Sequence, residues 1–472
     1  MKLKNFTDLN AWAVEQWGDA ELGDSRRTDR AIAVGAAIAA NPEASLPNIM
    51  SGWNEVRAAY RLFAEEEVTH SELIKPHTAA TKAMPAAGYA YAKNSSGSVV
   101  LFIQDTSELD YTSARNIEGL GHIGDGKGRG IMLHNCLAVV PVPGNPEILG
   151  LAGQIPWVRG SDHQNRQIEN ISQELLRSES EGEIWSQMVE AIGEAPESDS
   201  IWVSVGDRGS DIFSYIRRVI ALRWHCLLRV TQNRVITKPD GTKGYLKAFA
   251  RGLQPMSTKT IVLRGRNGEP KRCVDLQVSW SALTIQPPAT GSERKQQPID
   301  GWCIRVWEES GDLEWTLFTS VPVTDENSAL IQIDWYSCRW LIEEYHKCLK
   351  TGCAIEKRQL ESANGLVTLL GFFAVVAVRL LQLRELSRTH PLLPVENFVP
   401  PMMLNILVAR LGLLSNNLTI GEFWKCVARL GGFLARKSDG LPGWQTLWRG
   451  WCRLMDMCWA IDFSTQSLKK CW

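Results

Sequence analysis

Tyr336-Ser337-Cys338-Arg339-Trp340-Leu341-Ile342-Glu343-Glu344-Tyr345-His346-Lys347-Cys348-Leu349-Lys350 is the stretch on which the reading of this chain turns. At an α-helical advance of about 100° per residue, Tyr336, Arg339, Trp340, Glu343, His346, Lys347 and Lys350 fall within roughly one-third to one-half of the circumference. Leu341, Ile342, Tyr345, Cys348 and Leu349 lie opposite and make an ordinary core face. A plain solvated helix also carries pairs such as Glu343 with Lys347. Such faces are usually built from Lys, Glu and Arg without large rings, so Tyr336 and Trp340 beside the cations point to a surface suited to phosphates, a metal ion and stacked bases.

Outward from that stretch, composition sets limits without choosing a function. A chain of 472 residues with 44% hydrophobic content divides into several domains, because single cores stop growing at roughly 250 to 300 residues. The net charge of -1 supplies no overall field for nucleic acid, so any DNA binding rests on local basic patches. The 11 cysteines are scattered, with no CxxC pair and no zinc spacing, and read as reduced intracellular thiols. Met1-Lys2-Leu3-Lys4 lacks the apolar region of a signal peptide, and the expected location is the cytoplasm. The apolar run from Gly365 to Val378 stops at Arg379, short of the roughly 20 residues a bilayer needs, and is expected to be a buried helix rather than a membrane span.

Residues 1–80 read as helical. Asp24 or Ser25 caps a helix bearing Arg26, Arg27 and Arg30, Asn41-Pro42 ends it, and Trp53 to Glu66 forms another. Short helices with a basic start describe many DNA-binding modules. Ser98 to Asp105 is a buried strand closed by Asp105; Met132 to Val140 and Leu149 to Val158 are its expected antiparallel neighbours. Ile168 to Ile192 has helical period, Ile201 to Asp207 repeats the strand ending in an aspartate, Ser210 to Arg223 is a helix, and His225 to Thr231 a further strand. Residues 232–325 turn β-rich, as an insertion. Helix returns at about 326 and runs through the opening stretch and the 365–386 core helix; after the Pro-rich 390–401 linker the tail is helical and rich in tryptophan.

Asp105 and Asp207 at strand ends, with Glu343 on a later helix, would repel one another unless a divalent cation held them, and Mg²⁺ takes one or two carboxylates together with phosphate oxygens. Such a cluster suits two-metal phosphoryl transfer. Each aspartate alone is equally a turn or cap residue; their recurrence together with Glu343 is what carries the reading. Gly119-Leu-Gly121-His-Ile-Gly124 matches a dinucleotide fingerprint but is followed by Gly-rich sequence and a strand instead of a helix, so no nucleotide cofactor is expected; Lys127 and Arg129 in this loop are available to phosphates. No HExxH spacing and no Ser or Cys nucleophile constellation is present.

Asp105-Thr-Ser, Gly206-Asp207-Arg208 and Tyr336-x2-Arg339-x3-Glu343-x6-Lys350 together resemble the three catalytic blocks of bacterial cut-and-paste DDE transposases of the insertion-sequence-4 superfamily, most of all its transposon-five branch. Leu22-Gly-Asp-Ser-Arg-Arg-Thr, Val378-Arg-Leu-Leu-Gln-Leu-Arg-Glu, Ala428-Arg-Leu-Gly-Gly-Phe and Trp444 to Trp451 extend the likeness over nearly the whole chain.

The resemblance implies an α/β fold: an RNase H-like catalytic core, a mixed sheet flanked by helices, over 81–388 with the β insertion at about 232–325. It also implies a helical N-terminal domain (1–80) that binds transposon ends through Arg26, Arg27 and Arg30, and a helical C-terminal dimerisation domain (389–472). Asp105, Asp207 and Glu343 would bind Mg²⁺, or Mn²⁺ in its place. Tyr336, Arg339, Lys347, Lys350 and Arg229 would contact DNA, with Trp315 and Trp340 stacking on bases. The implied function is that of a homodimer on double-stranded inverted-repeat ends that nicks them, forms and resolves hairpins, and joins 3′-OH ends to target DNA. A nuclease without strand transfer, and a non-catalytic DNA-binding inhibitor, are the competing readings.

Overall fold

A computed structural model of the protein describes residues 8–84, 98–114, 116–159, 176–177, 182–197, 200–263, 272–309, 311, 313–414, 416–436 and 440–470. The N-terminal helices are α1 (Leu9–Trp17), α2 (Ser25–Ala40), α3 (Trp53–Ala64) and α4 (His70–Ala83). Asp24 is the N-cap of α2, its carboxylate accepting from the Arg26 amide, as its place in the sequence led us to expect. Ala31, Val34, Ile38 and Ala39 bury the apolar side of α2.

The sheet is built from β1 (Val99–Asp110), β2 (Gly128–Val140), β3 (Glu147–Arg159), β4 (Ile201–Gly206) and β5 (His225–Arg229). Their spatial order is β3-β2-β1-β4-β5. β2 runs antiparallel to β1 and β3 antiparallel to β2, whereas β4 and β5 run parallel to β1. The parallel strands read as continuous apolar runs because helices cover both faces. α5 (Glu183–Ile192) and α6 (Phe213–Ala221) pack on one face, over a core that includes Phe102, Trp185, Trp202, Tyr215 and Trp224.

The β-rich insertion is continuous with this sheet. β6 (Ser257–Leu263), β7 (Arg272–Ile285), β8 (Ile299–Glu308) and β9 (Glu314–Thr319) form an antiparallel set, and β9 pairs with β5 through Leu317 opposite Arg229. After β9 come α7 (Glu326–Ser337), α8 (Trp340–Lys347) and the long α9 (Ala363–Thr389). By length and composition α9 passes for a membrane span, yet 94% of its most apolar window is buried inside the protein. It is the central core helix, with Phe372 and Phe373 fully enclosed. α10 (Pro401–Leu411), α11 (Ile420–Leu430) and α12 (Trp444–Lys470) complete the chain's described elements.

Three expectations need correction. Asp105 does not close its strand: β1 stays paired with β2 as far as Asp110 opposite Gly130, while its pairing with β4 stops at Ile103 opposite Val205. One edge of the strand is therefore released at Asp105, and the other is not. The helix through Tyr336 to Lys350 is broken: Cys338 and Arg339 form a tight turn whose amides bond three residues back, and residues Cys348–Gly352 widen into a π-turn. Such departures from the regular ladder cluster at functional sites. The expected helix from Ile168 begins, among the described residues, only at Glu183, and Leu176–Arg177 instead pairs in parallel with Val158 and Arg159; residues 168–175 lie outside the described ones.

Candidate active site

Strand register places the carboxylates. Val99 pairs with Ile201 and Ile103 with Val205, so Asp105 and Asp207 occupy matching positions two residues beyond the last paired ones. Gly206 pairs with Leu228, which puts Arg229 next to Asp207 in the same row. On the other side Asp105 pairs with Asn135, and Asn135 with Gln154. Residues opposite one another on neighbouring strands share a face. One polar row therefore crosses the sheet: Arg229, Asp207, Asp105, Asn135, Gln154.

The turn after β4 is made possible by Gly206. A Cβ there would meet Ser210 Oγ at 2.3 Å and the Trp185 ring at 3.0 Å. With that space kept clear, Asp207 caps the following turn, its Oδ1 accepting from the Gly209 amide at 2.8 Å.

The end of α7 and the start of α8 lie over this row. Arg339 Nη2 donates to Glu343 Oε1 at 2.7 Å, and its Nη1 stands 3.6 Å from Asp105 Oδ2. Asp105 Oδ1 also accepts from the Thr106 amide at 2.8 Å. Burial, the Asp207 carboxylate and, less strongly, that of Glu343 push the Asp105 carboxyl up to about 6, against the pull of Thr106 and Arg339. Tyr336 is raised by burial, with Arg339, Arg229 and Arg208 opposing. Burial, then the like charge of Arg208, holds Arg229 below the ordinary guanidinium range.

As a donor set, three carboxylates are hard oxygen ligands of the kind Mg²⁺ and Mn²⁺ take. Among the described residues, however, no group of three or more His, Cys, Asp or Glu side chains is drawn together at metal-holding distance. Arg339 stands between two of the carboxylates, its guanidinium a counter-charge to both Asp105 and Glu343. The carboxylates fit a divalent cation in chemistry and neighbourhood, with that arginine standing where positive charge is needed.

The remaining expected residues divide. Trp340 is exposed (52%), with Lys347 Nζ 5.1 Å over its ring. Lys347 Nζ and Trp340 Nε1 both donate to Glu344 Oε1, at 3.0 and 3.1 Å. Glu344, which the sequence reading left aside, is buried and also ion-paired to the buried Arg384. Lys350 sits in the π-turn, its Nζ 3.7 Å from Glu356. Trp315 is not an open platform: it is partly buried against the core, and its Nε1 is buried with no hydrogen-bond partner. In the Gly-rich loop Lys127 pairs with Asp125, Arg129 donates to the Ile117 carbonyl, and a strand follows.

The N-terminal arginines are largely engaged within the protein. Arg26 pairs with Asp24, Arg27 with Glu65 and Glu67, and Arg30 with Glu55. The pairs of Arg27 and Arg30 fasten α2 to α3 and to the turn after it, whereas that of Arg26 is local to the start of α2. The outer face of α3 instead presents Trp53, Arg57, Tyr60 and Arg61, all exposed, and neither arginine has an ion pair among the described residues. Helical spacing of aromatic and cationic residues at 53, 57, 60 and 61 was the available signal. Arg208, beside Asp207, was likewise passed over; it is exposed and has no ion pair among the described residues.

Asp105 and Asp207 thus lie at the released edge of two parallel strands, with Glu343 and Arg208, Arg229 and Arg339 around them. Residues 9–68 match the Transposase DNA-binding family and residues 160–378 the Transposase DDE domain. Those two matches support a DDE transposase. The second includes Asp207 and Glu343 and starts after Asp105. A cryo-EM structure of the piggyBac transposase synaptic complex with hairpin DNA aligns over 82% of this chain and 74% of that one, at 11% identity and a TM-score of 0.34.

Proposed function

We propose that this protein is a cut-and-paste DNA transposase whose reacting groups gather at Asp105, Asp207 and Glu343. The observation that carries the reading is the register: Asp105 and Asp207 meet on adjacent parallel strands, and Glu343 reaches them through Arg339. The strand order, with its antiparallel β2 and β3 and parallel β4 and β5, supports an RNase H-like core, and the three sequence blocks support kinship with the insertion-sequence-4 superfamily.

In this reading Asp105, Asp207 and Glu343 hold Mg²⁺ or Mn²⁺. Bound there, a divalent ion activates an oxygen nucleophile and stabilises the leaving oxygen. The chain's own residues do the rest. Arg229, Arg208, Tyr336, Arg339, Lys347 and Lys350 bind the phosphates of a transposon end, where cation contacts confer affinity and salt dependence. An incoming phosphate takes Arg339 as its partner and so releases Asp105 and Glu343 from their internal counter-charge. Trp340 offers an exposed ring for an extruded base, a contact worth about 1 to 3 kcal/mol. Arg57, Tyr60 and Arg61 extend the DNA surface on α3, with Arg26 beside it. The 3′-OH freed by nicking attacks the opposite strand to make a hairpin, and after hairpin opening it attacks target DNA; each transfer exchanges one phosphodiester for another. The C-terminal helices join two copies into a homodimer that pairs the ends.

Asp105→Ala, Asp207→Ala and Glu343→Ala are each expected to abolish nicking of end DNA while retaining end binding in a gel-shift assay. Normal cleavage by any one of them sinks the assignment. Joined products in a target-plasmid assay separate the transposase from a nuclease of the same fold.

A further inference from the structure

Beside the carboxylates the polar row continues into a buried chain of hydrogen bonds. Asn135 is the cross-strand partner of Asp105 and is fully buried. Its Nδ2 donates to the Leu133 carbonyl at 3.2 Å and to His346 Nε2 at 3.0 Å, and its Oδ1 accepts from Gln154 Nε2 at 2.6 Å. Gln154 Nε2 also donates to Tyr345 Oη at 3.0 Å, while its Oε1 accepts from His70 Nε2 at 2.8 Å. Both Asn135 amide hydrogens are used as donors, so His346 Nε2 is an acceptor and the imidazole is neutral, its proton on Nδ1. His346 lies three residues after Glu343, one turn along α8. The chain thus joins four elements behind the site: β2 and β3 of the sheet, α8 with Glu343, and α4 through His70.

We propose that Asn135 and His346 are positioning residues that seat the Glu343 helix at a set height over Asp105, with Gln154 and His70 holding Asn135 in the required orientation. Three features argue for more than an incidental core contact. The bond is formed by the residue beside one carboxylate and the residue one turn from another. Apart from this chain and the Arg339 bridge from Glu343 to Asp105, α8 is packed through buried apolar side chains such as Ile342, which permit sliding that a directed hydrogen bond forbids. The orientation of each amide is over-determined, since flipping Asn135 or Gln154 would oppose donor to donor or acceptor to acceptor. Second contacts of this kind around carboxylate centres typically alter metal affinity or rate by about 10-fold to 100-fold when removed.

This inference rests on the reading of Asp105, Asp207 and Glu343 as the reacting site. His346→Gln returns an acceptor near the Nε2 position, His346→Leu does not, and the pair Asn135→Leu with His346→Leu removes both partners of that bond while Gln154 Nε2 keeps its bond to Tyr345 Oη. The full-length protein is compared for Mn²⁺ affinity by electron paramagnetic resonance, for end binding in EDTA, for thermal stability, and for nicking kcat. The expected result is a loss of about 10-fold or more in Mn²⁺ affinity and kcat in His346→Leu, with end affinity within about twofold and His346→Gln close to the parent. The double variant is expected to recover part of the stability, less the bond from Gln154 to Asn135, but not Mn²⁺ affinity or kcat. If it recovers all three, or if His346→Leu keeps parental Mn²⁺ affinity and kcat, the pair is only core packing and the proposal is overturned. If Asp105→Ala nicks normally, the site reading itself has failed, a separate outcome.

Discussion

Arg339 Nη2 lies 2.7 Å from Glu343 Oε1, and Nη1 of the same guanidinium lies 3.6 Å from Asp105 Oδ2, so one side chain bridges carboxylates contributed by a helix and a strand. The bridge is mostly buried, with Arg339 at 18% side-chain exposure. Arg339→Ala removes the counter-charge from carboxylates that already repel. Its metal-free form is expected to lose about 1 to 2 kcal/mol of stability, partly regained in millimolar Mg²⁺. Equal melting temperatures for variant and parent in EDTA would show that the guanidinium is not the neutralising group.

The Asp105 carboxyl, ordinarily at 3.8, is pushed up to about 6 by burial, Asp207 and Glu343. The folded protein thus holds this proton more tightly than the unfolded chain does. Between about pH 4 and pH 6 stability attributable to Asp105 falls as pH rises, and above that window the ionised group is a standing cost. Asp105→Asn is expected to raise metal-free stability by about 1 to 2 kcal/mol at pH 7.5 and to leave it unchanged near pH 4. Denaturant titrations at the two pH values check the sign.

Glu344 turns away from the carboxylate row and is held by Arg384, Lys347 and Trp340. Arg384→Ala takes away the buried counter-charge of Glu344, leaving it Lys347 and Trp340, and is expected to cost about 2 to 4 kcal/mol, whereas Glu344→Leu with Arg384→Met returns much of it. Urea unfolding of the single and double variants reads the difference; a single variant within 1 kcal/mol of the parent contradicts it.

On the N-terminal helices two pairs of arginines have opposite expected effects. Arg57→Ala with Arg61→Ala should weaken binding to end DNA and flatten the plot of log affinity against log salt by about one per cation that touched phosphate. Arg27→Ala with Arg30→Ala breaks the pairs to Glu65, Glu67 and Glu55, so its main effect should be on the melting temperature. Anisotropy titrations at several salt concentrations, with melting curves, separate the two.

The two tryptophans expected to stack on bases should also part company. Trp315→Ala empties a packed position and is expected to cost about 3 kcal/mol or more. Trp340→Ala, on an exposed ring, should change stability little and reduce hairpin formation more than nicking. Hairpin yield from pre-nicked end DNA tests the second claim; unchanged yield removes Trp340 from that role.

The legible parts were those set by local pattern. Val99 to Ile103 and Trp202 to Val205 announced buried strands because parallel strands covered on both faces are apolar throughout. Asp24 announced a helix start by the capping chemistry of its side chain. Less legible was the break at Cys338 and Arg339, since both residues keep right-handed helical dihedrals and nothing in their identity marks a tightened turn. Asp105 was misplaced as a strand end because only its pairing with β4 stops there; a one-dimensional reading sees where a run of apolar residues ends, not which edge of a strand loses its neighbour.

By itself, then, the sequence singled out Asp105, Asp207 and Glu343 as the candidate reacting groups and the kind of element on which each one sits, because periodicity, capping and spacing act over a few residues. Only the tertiary structure decided their partners: that Arg339 stands between Asp105 and Glu343, that Arg27 and Arg30 are tied to glutamates, that Trp315 is partly buried, and that Asn135 and His346 meet across 211 positions of chain. Those outcomes depend on sheet register and helix docking, where burial makes each charge or amide find a complement, and no local rule names in advance which complement that will be.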